Sequence, residues 1–282
     1  DGKSDGIQSK MSIVIDGNLI IDVKEGYVSQ TEYEEYIDLR NHTVLPGLMD
    51  MHVHFGGEYL SKAEAPLKVE REMEAILATQ HALVTFKSGF TTVRQVGDSG
   101  LVAISLRDAI NAGKVIGPRI FAAGKTIATT GGHADPTNGK ALDDYAYPLP
   151  EQGVVNGPYE VYTAVRQRYK DGADGIKITV TGGVLSPAKS GDNPQFTQEE
   201  VDAVVSAAKD YGMWVAVHAH GAEGMKRAIK AGVDSIEHGT FMDDEAMDLM
   251  IENGTYYVPT ISAGVWVAEK SKIDNFFPEI VR

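Results

Sequence analysis

The sequence predicts an α/β fold in which parallel strands alternate with helices around a barrel. A strand-then-helix rhythm repeats from Val44 onward, and several histidines fall at the C-terminal ends of the predicted strands. Alternating elements of this length indicate a parallel sheet, because each return of the chain needs a crossover helix. An open nucleotide-binding sheet would carry a G-x-G-x-x-G turn after its first strand, whereas residues 55–58 read F-G-G-E. The barrel is therefore favoured.

The predicted barrel domain covers residues 44–282. Seven strands are predicted, at 44–54, 91–97, 120–124, 175–181, 214–219, 234–238 and 256–260, and six helices, at 67–87, 101–112, 159–170, 198–211, 224–230 and 244–252. Thr197 followed by Glu200 predicts a capping box at the start of the fourth helix. Because a (β/α)8 TIM-type barrel has eight strands, we expect the eighth strand to lie outside this sequence.

A small β-rich domain is predicted over residues 1–43. Short apolar runs alternate there with turn residues, and Asp16-Gly17 between two such runs is a strong hairpin signal. We expect this domain to be incomplete at its start.

Composition and charge exclude several classes of protein. Lys and Arg number 26 against 40 Asp and Glu, a net charge of −14, so a nucleic acid is not an expected partner. No apolar run reaches the roughly 20 residues that span a bilayer, so no membrane partner is expected. Cysteine is absent, which excludes disulfides, thiolate metal sites and cysteine nucleophiles. A soluble protein is expected, and the compartment stays open between bacterial cytoplasm and periplasm.

Histidines are paired or placed at strand ends. His52 and His54 are two apart, as are His218 and His220, and residues so spaced on a strand share one face. His238 also ends a strand, and the glycine after it permits a tight turn. Each motif could bind a divalent metal or merely line a pocket. In a parallel barrel these strand ends converge on one site, so together they favour metal binding.

Lys177 lies inside an apolar strand. Desolvation favours the neutral amine, which can react with carbon dioxide to give a carbamate, an anionic oxygen ligand able to bridge two metals. The alternative is a strand-edge lysine that reaches solvent. Arg94 and Asp98, which flank the end of the second strand, could form a structural ion pair or support the site.

Several segments resemble one known family. Residues 44–54, V-L-P-G-L-M-D-M-H-V-H, are similar to the opening motif of the amidohydrolase superfamily. The segments T-G-G-H at 130–133, K-I-T-V-T-G-G-V-L-S-P at 177–187 and H-A-H-G at 218–221 resemble its branch of metal-dependent Xaa-Pro (prolidase-like) dipeptidases, with imidazolonepropionase-like proteins and ochratoxin-type amidases as close relatives. The resemblance runs along the whole sequence.

The resemblance implies a site with two divalent metal ions, expected to be zinc. Carbon dioxide would be bound as a carbamate on Lys177, the bridging ligand. The implied metal ligands are His52, His54, Lys177, His218 and His238. His133 and His220 would contact the substrate, although His220 could instead be the ligand, with His218 behind it. The family's general-base aspartate follows strand eight, and we expect it outside this sequence.

The implied activity is hydrolysis of an amide bond by water that the metal pair activates. A dipeptidase for Xaa-Pro or Xaa-hydrophobic dipeptides is the first prediction, and the substrate is a small molecule, a dipeptide or an N-acyl amino acid. Hydrolysis of cyclic amides or N-acyl compounds is the enzymatic alternative, and a metal-free scaffold is the other. A homo-oligomer is expected.

Overall fold

The structure, a computed structural model, describes residues 6–56, 70–98, 100–140, 147–184 and 190–277. The chain divides into two compact units, Asp1–Leu48 and Met49–Arg282. Among the described residues, no helix combines the length and the apolar character needed to cross a membrane.

The first unit contains an antiparallel hairpin of β1 (Met11–Asp16) and β2 (Leu19–Glu25). Asp16 pairs with Leu19, so Gly17 and Asn18 form a two-residue turn, and Gly17 adopts a φ of 59° that glycine tolerates without strain. The hairpin prediction is confirmed. Of the described residues in this unit, only Val14 is buried.

The second unit, together with Leu48 just before it, contains all seven predicted strands and all six predicted helices. Its elements are β3 (Leu48–Val53), α1 (Arg71–Lys87), β4 (Phe90–Gln95), α2 (Val102–Asn111), β5 (Arg119–Ala122), β6 (Ala128–Thr129), β7 (Val154–Val155), α3 (Pro158–Lys170), β8 (Gly175–Thr179), α4 (Gln198–Asp210), β9 (Trp214–Gly221), α5 (Ala222–Ala231), β10 (Ser235–Phe241), α6 (Asp244–Asn253), β11 (Tyr256–Val258) and α7 (Ile261–Lys270). The short β6–β7 pair and α7 were not predicted. Residues 67–69 of the first predicted helix and 185–187 of the quoted motif lie outside the described residues.

Helix ends follow local capping chemistry. The Thr197 side chain accepts from the backbone N–H of Glu200, whose carboxylate accepts from the N–H of Thr197 at 2.8 Å, which confirms the predicted capping box of α4. The Asp243 side chain caps α6 by accepting from the backbone N–H of Ala246, without a reciprocal bond. Helices α5 and α6 end at Gly232 and Gly254, both left-handed. These caps fix where α4 and α6 begin and where α5 and α6 end.

The strands form one row in chain order. One sheet is β3-β4-β5 and another is β8-β9-β10-β11. The strands pair in parallel from β4 to β5 and from β8 through β11. The two are joined where the N–H of Asp174 donates to the carbonyl of Ala122 at 2.8 Å and that of Ile127 to the carbonyl of Lys177 at 2.8 Å. In the described part of the chain, β3 and β11 stand at the two ends of this row.

The row is curved. Side chains from β3 and β4, near one end, contact Glu237 on β10, near the other end. Such contacts require the sheet to bend around an interior, as it does in a barrel. The predicted α/β fold with parallel strands is therefore confirmed.

The two faces of β8 are both buried but differ in chemistry. Ile176 and Ile178 pack with α3, α4 and α5 in the larger apolar core, where burying each such side chain contributes about 1.5–3 kcal/mol. Lys177 and Thr179 alternate with them and face the interior polar groups. The helix layer thus supplies the stability, and the interior face carries the chemistry.

Candidate metal centre

Six histidines form a continuous cluster at the C-terminal ends of the strands. His52 and His54 come from β3, His218 and His220 from β9, His238 from β10, and His133 from the turn after β6. Ring centroids are 5.1 Å apart for His52–His54, 4.9 Å for His52–His238, 4.7 Å for His218–His238, 4.8 Å for His218–His220, 5.2 Å for His220–His238 and 4.3 Å for His133–His218. All six sequence-predicted histidines are brought together.

His52 and His54 face each other through the same ring nitrogen, Nε2. Their Nε2 atoms are 3.2 Å apart, while Nδ1 of His52 contacts the Glu237 carboxylate at 2.7 Å and Nδ1 of His54 contacts the Gly97 carbonyl at 2.8 Å. Both partners accept, so both Nδ1 atoms donate. Burial lowers the pKa of His52 to about 4, and desolvation also lowers the pKa of His54, although one side of that residue stays accessible. Two neutral imidazoles therefore direct lone pairs at each other.

That spacing fits a shared cation. Two nitrogens bound at ~2.0–2.1 Å to one tetrahedral zinc ion lie roughly 3.3–3.4 Å apart. A cation between the His52 and His54 nitrogens would also relieve the repulsion of their lone pairs.

Lys177 is buried beside this cluster. Its side chain is 4% exposed, and its Nζ has no hydrogen-bond partner among the described residues. Burial lowers its pKa to about 7, with the Glu237 charge acting to raise the pKa and Arg94 to lower it. The alternative prediction, in which this lysine reaches solvent, is therefore wrong. A substantial fraction of Lys177 is a neutral, nucleophilic amine at neutral pH.

A buried ion pair lies behind His52. Arg94 Nη2 donates to Oε1 of Glu237 at 2.5 Å, and Glu237 is fully buried. Burial acts to raise the pKa of Glu237, but the His52 hydrogen bond and the charges of Lys177 and Arg94 outweigh it and hold that pKa at about 2. Arg94 therefore pairs with Glu237 and not with Asp98, which instead accepts from the backbone N–H groups of Gly100 and Ala103 at the start of α2.

His238 reaches the cluster through an unusual backbone. It has a φ of 73°, in the left-handed region, and Gly239 follows with a φ of 59°. Glu237 and His238 are adjacent, so a regular strand would point them to opposite faces. The left-handed turn brings both to the interior side. His238 Nδ1 contacts the hydroxyl of Thr260 at 2.8 Å, and Thr260 is itself left-handed, with a φ of 49°.

His133 and His220 line the other side of the cluster. The His133 ring stacks on His218, and its Nδ1 is buried without a hydrogen-bond partner in the described residues. A Cβ at Gly183 would lie 2.1 Å from the His133 ring, so this glycine makes room for the imidazole. His220 Nδ1 contacts the Thr240 hydroxyl at 2.8 Å.

The described side chains do not yet form a complete ligand set. No group of three His, Cys, Asp or Glu side chains in the described ranges is arranged to hold a metal ion as it stands. The histidines contact one another in pairs, and an unmodified Lys177 supplies no anionic oxygen as a third donor beside His52 and His54. The nitrogen donors of the cluster fit a divalent metal, but the described side chains supply no third donor beside His52 and His54.

A family model described as the amidohydrolase family matches residues 43–276. The chain belongs to the amidohydrolase family. The predicted resemblance is therefore confirmed, and the family accounts for a histidine cluster at the strand ends, because its members generally use divalent metals.

Solved structures of similar amidohydrolases extend this result. A crystal structure of an Xaa-Pro dipeptidase with methionine bound in its active site is 88% identical, with a TM-score of 0.97, over 100% of this chain and 69% of that one. A prolidase complexed with N-methylphosphonate-L-proline is 32% identical, with a TM-score of 0.84, over 96% of this chain and 66% of that one.

Ochratoxinase from Aspergillus niger is 31% identical over 255 residues, which are 86% of this chain and 52% of that protein. This amidohydrolase chain thus spans about half the length of the curated relatives it matches.

Sequence reasoning gave no role to Glu237 and Thr260, which hold the histidines, but it allowed that Arg94 supports the site. Glu237, Arg94 and Thr260 orient His52 and His238, and the buried Thr179 hydroxyl has no partner among the described residues. Two signals were available in the sequence. Thr179 lies two positions after a lysine in an apolar strand, and Glu237 directly precedes a strand-end histidine. Neither identifies its partner, because those partners are far away in the sequence.

Proposed function

We propose that this protein is a metal-dependent amidohydrolase that cleaves dipeptides, with Xaa-Pro and Xaa-hydrophobic dipeptides as the substrate class. The carrying observation is the pair of facing Nε2 lone pairs on His52 and His54 beside a buried Lys177, whose Nζ has no hydrogen-bond partner in the part of the chain that the structure describes. The similarity to an Xaa-Pro dipeptidase at 88% identity supports the choice of substrate.

The metal ligands in this proposal come from four strands. Two divalent ions, with zinc expected, would be held by His52, His54, His218, His238 and the carbamate of Lys177. Bound ions of this kind activate water and polarise a carbonyl group, which is the chemistry that amide hydrolysis needs. The strands that carry these residues would belong to an eight-stranded barrel, with the site at their C-terminal ends.

The proposed role of Lys177 is to form a carbamate. Its neutral amine would attack the carbon of carbon dioxide to form a C–N bond, the electron pair of one C–O π bond would move to oxygen, and the nitrogen would lose a proton to solvent. The product carries a negative charge that a metal-free interior would disfavour. Lys177 would therefore be carbamylated only together with metal binding.

His133 and His220 are the proposed substrate contacts. The buried Nδ1 of His133 lacks a partner in the described residues, and His220 lies on the same strand face as His218. Imidazole N–H groups at this place could hold the substrate by its α-carboxylate. The methionine and the proline derivative bound by the two similar structures both contain such a carboxylate.

The test is a dipeptide library assayed with zinc-loaded protein, with release of free amino acids as the readout. We expect turnover of Xaa-Pro or Xaa-hydrophobic dipeptides and loss of turnover after chelation. Zinc-loaded, folded protein that releases no amino acid from any dipeptide would reject dipeptidase activity. The predicted homo-oligomer is tested separately by sedimentation.

A second candidate is hydrolysis of an N-acyl amino acid. The 31% identity to ochratoxinase favours it, since one metal site serves amide bonds of several kinds. Assaying N-acyl amino acids beside the dipeptides discriminates the two, because kcat/KM for the native class should exceed that for the other. Less than one metal ion per folded chain would instead favour a scaffold.

A further inference from the structure

A chain of buried polar side chains runs across the interior to His52. Arg94 donates to Glu237 Oε1 through Nη2 at 2.5 Å and to Ser235 Oγ through Nη1 at 2.9 Å. Ser235 Oγ donates to the same Glu237 Oε1 at 2.6 Å. Arg94 Nε also donates to the Met51 carbonyl at 2.8 Å, next to His52 in β3. The guanidinium is thus fixed against both the carboxylate and the strand that carries the histidine.

The two carboxylate oxygens of Glu237 accept from different donors. Oε1 accepts from two donors, and Oε2 accepts from Nδ1 of His52 at 2.7 Å. An ionised carboxylate has no hydrogen to donate, so the Nδ1 of His52 must carry the proton. The Nε2 of His52 is then left with the lone pair that faces His54.

We propose that Glu237 is a positioning residue that fixes the tautomer of His52 and so sets the affinity of the site for its metal, with Arg94 holding the carboxylate in place. This inference rests on the proposed function, because it requires His52 to be a metal ligand. Carboxylates behind metal-binding histidines usually contribute 10–100-fold to metal affinity.

The variant Glu237→Gln tests the tautomer directly. Arg94 and Ser235 both donate, so the amide oxygen of glutamine should take the place of Oε1. The amide NH2 then faces His52 and needs an acceptor, which moves the histidine proton from Nδ1 to Nε2. The lone pair that faces His54 is lost, although no metal ligand has been replaced.

The matched control is Glu200→Gln. Glu200 is also a buried carboxylate, and it caps α4 away from the histidines. It accepts from the N–H groups of Gly157 at 2.7 Å and Thr197 at 2.8 Å and from the Thr197 hydroxyl at 3.2 Å. Any loss of zinc affinity in E200Q measures the general effect of replacing a buried carboxylate.

The experiment measures zinc affinity by competition with a chromophoric chelator, and the His52 tautomer by NMR of 15N-histidine-labelled, metal-free protein assigned with His52→Asn. We expect an Nδ1-protonated His52 in the native protein, an Nε2-protonated His52 in E237Q, and zinc affinity 10–100-fold weaker in E237Q but within about threefold of native in E200Q.

An Nε2-protonated His52 in the native protein overturns the inference, even if E237Q fails to fold. So does unchanged zinc affinity in folded E237Q, and so does an equal loss of affinity in E200Q. A native protein that shows the expected tautomer but binds no zinc would defeat the proposed function as well, and in that way the two failures are distinguished.

Discussion

The Nε2 atoms of His52 and His54 lie 3.2 Å apart, each carrying a lone pair because the opposite ring nitrogen is committed to an acceptor. Neither atom can donate to the other, so the contact is repulsive unless a cation lies between them. Two residues of one strand, His52 and His54, are thus arranged to bind a cation between their Nε2 atoms.

His54→Ala should therefore weaken zinc binding more strongly than loss of any supporting residue. Removing a direct ligand is expected to reduce affinity by more than the 10–100-fold typical of residues behind the ligands. Chelator competition measures it, with His42→Ala as the control, since His42 is exposed and lies in the first unit. Equal affinities in the two variants would exclude His54 as a ligand.

Lys177 should become a carbamate when metal is bound. We expect metal-loaded protein equilibrated with 13C-bicarbonate to show a carbamate carbon signal, and Lys177→Met to lack it. Lys125→Met is the matched control, because Lys125 is a half-buried lysine whose pKa is also lowered by burial, but which faces the Asp98 charge. A carbamate signal that survives in K177M would place the modification elsewhere.

The same lysine should make the metal-free protein less stable at neutral pH than at alkaline pH. Its folded pKa is about 7 against 10.5 unfolded, so between these values the unfolded state binds more protons and stability rises with pH. From pH 7 to 9.5 the free energy of unfolding should rise by roughly 3 kcal/mol more in the native protein than in K177M. Urea unfolding in chelator and CO2-depleted buffer measures the difference, and parallel pH profiles would contradict it.

The positions that could be read from the sequence are those governed by strand periodicity. His52 and His54, like His218 and His220, share a face because side chains alternate along a strand, and parallel strands bring their ends together. Lys177 was identifiable because a lysine in an apolar strand is costly to bury.

Other features depend on contacts that no local pattern encodes. The Arg94–Glu237 pair joins residues 143 positions apart, so the sequence could not decide between an Arg94–Asp98 ion pair and support of the site by Arg94, and the structure shows the second. The inward turn of His238 requires a left-handed backbone, which breaks the alternation on which strand predictions depend. Gly239 indicated a turn, but not that His238 itself would change direction.

Thr260 should matter for metal binding although it is not a proposed ligand. Its hydroxyl contacts Nδ1 of His238 at 2.8 Å and so orients the ring. Thr260→Val keeps the β-branched shape, and hence the backbone strain of the left-handed φ, but removes this hydrogen bond. We expect zinc affinity to fall about 10–100-fold in T260V and to stay near native in Thr260→Ser. Equal losses in both variants would indicate a backbone effect instead.

Gly183 should control substrate binding through His133. An alanine Cβ would lie 2.1 Å from the imidazole, so Gly183→Ala must displace the ring, and a misplacement of about 1 Å can cost on the order of 100-fold in kcat/KM. Zinc affinity should change little, because His133 is a proposed substrate contact and not a ligand. Gly264→Ala on α7 is the control, since its Cβ meets no atom within 4 Å. If G183A lost zinc and activity together, His133 would belong to the metal ligands; if it lost neither, His133 would not contact the substrate.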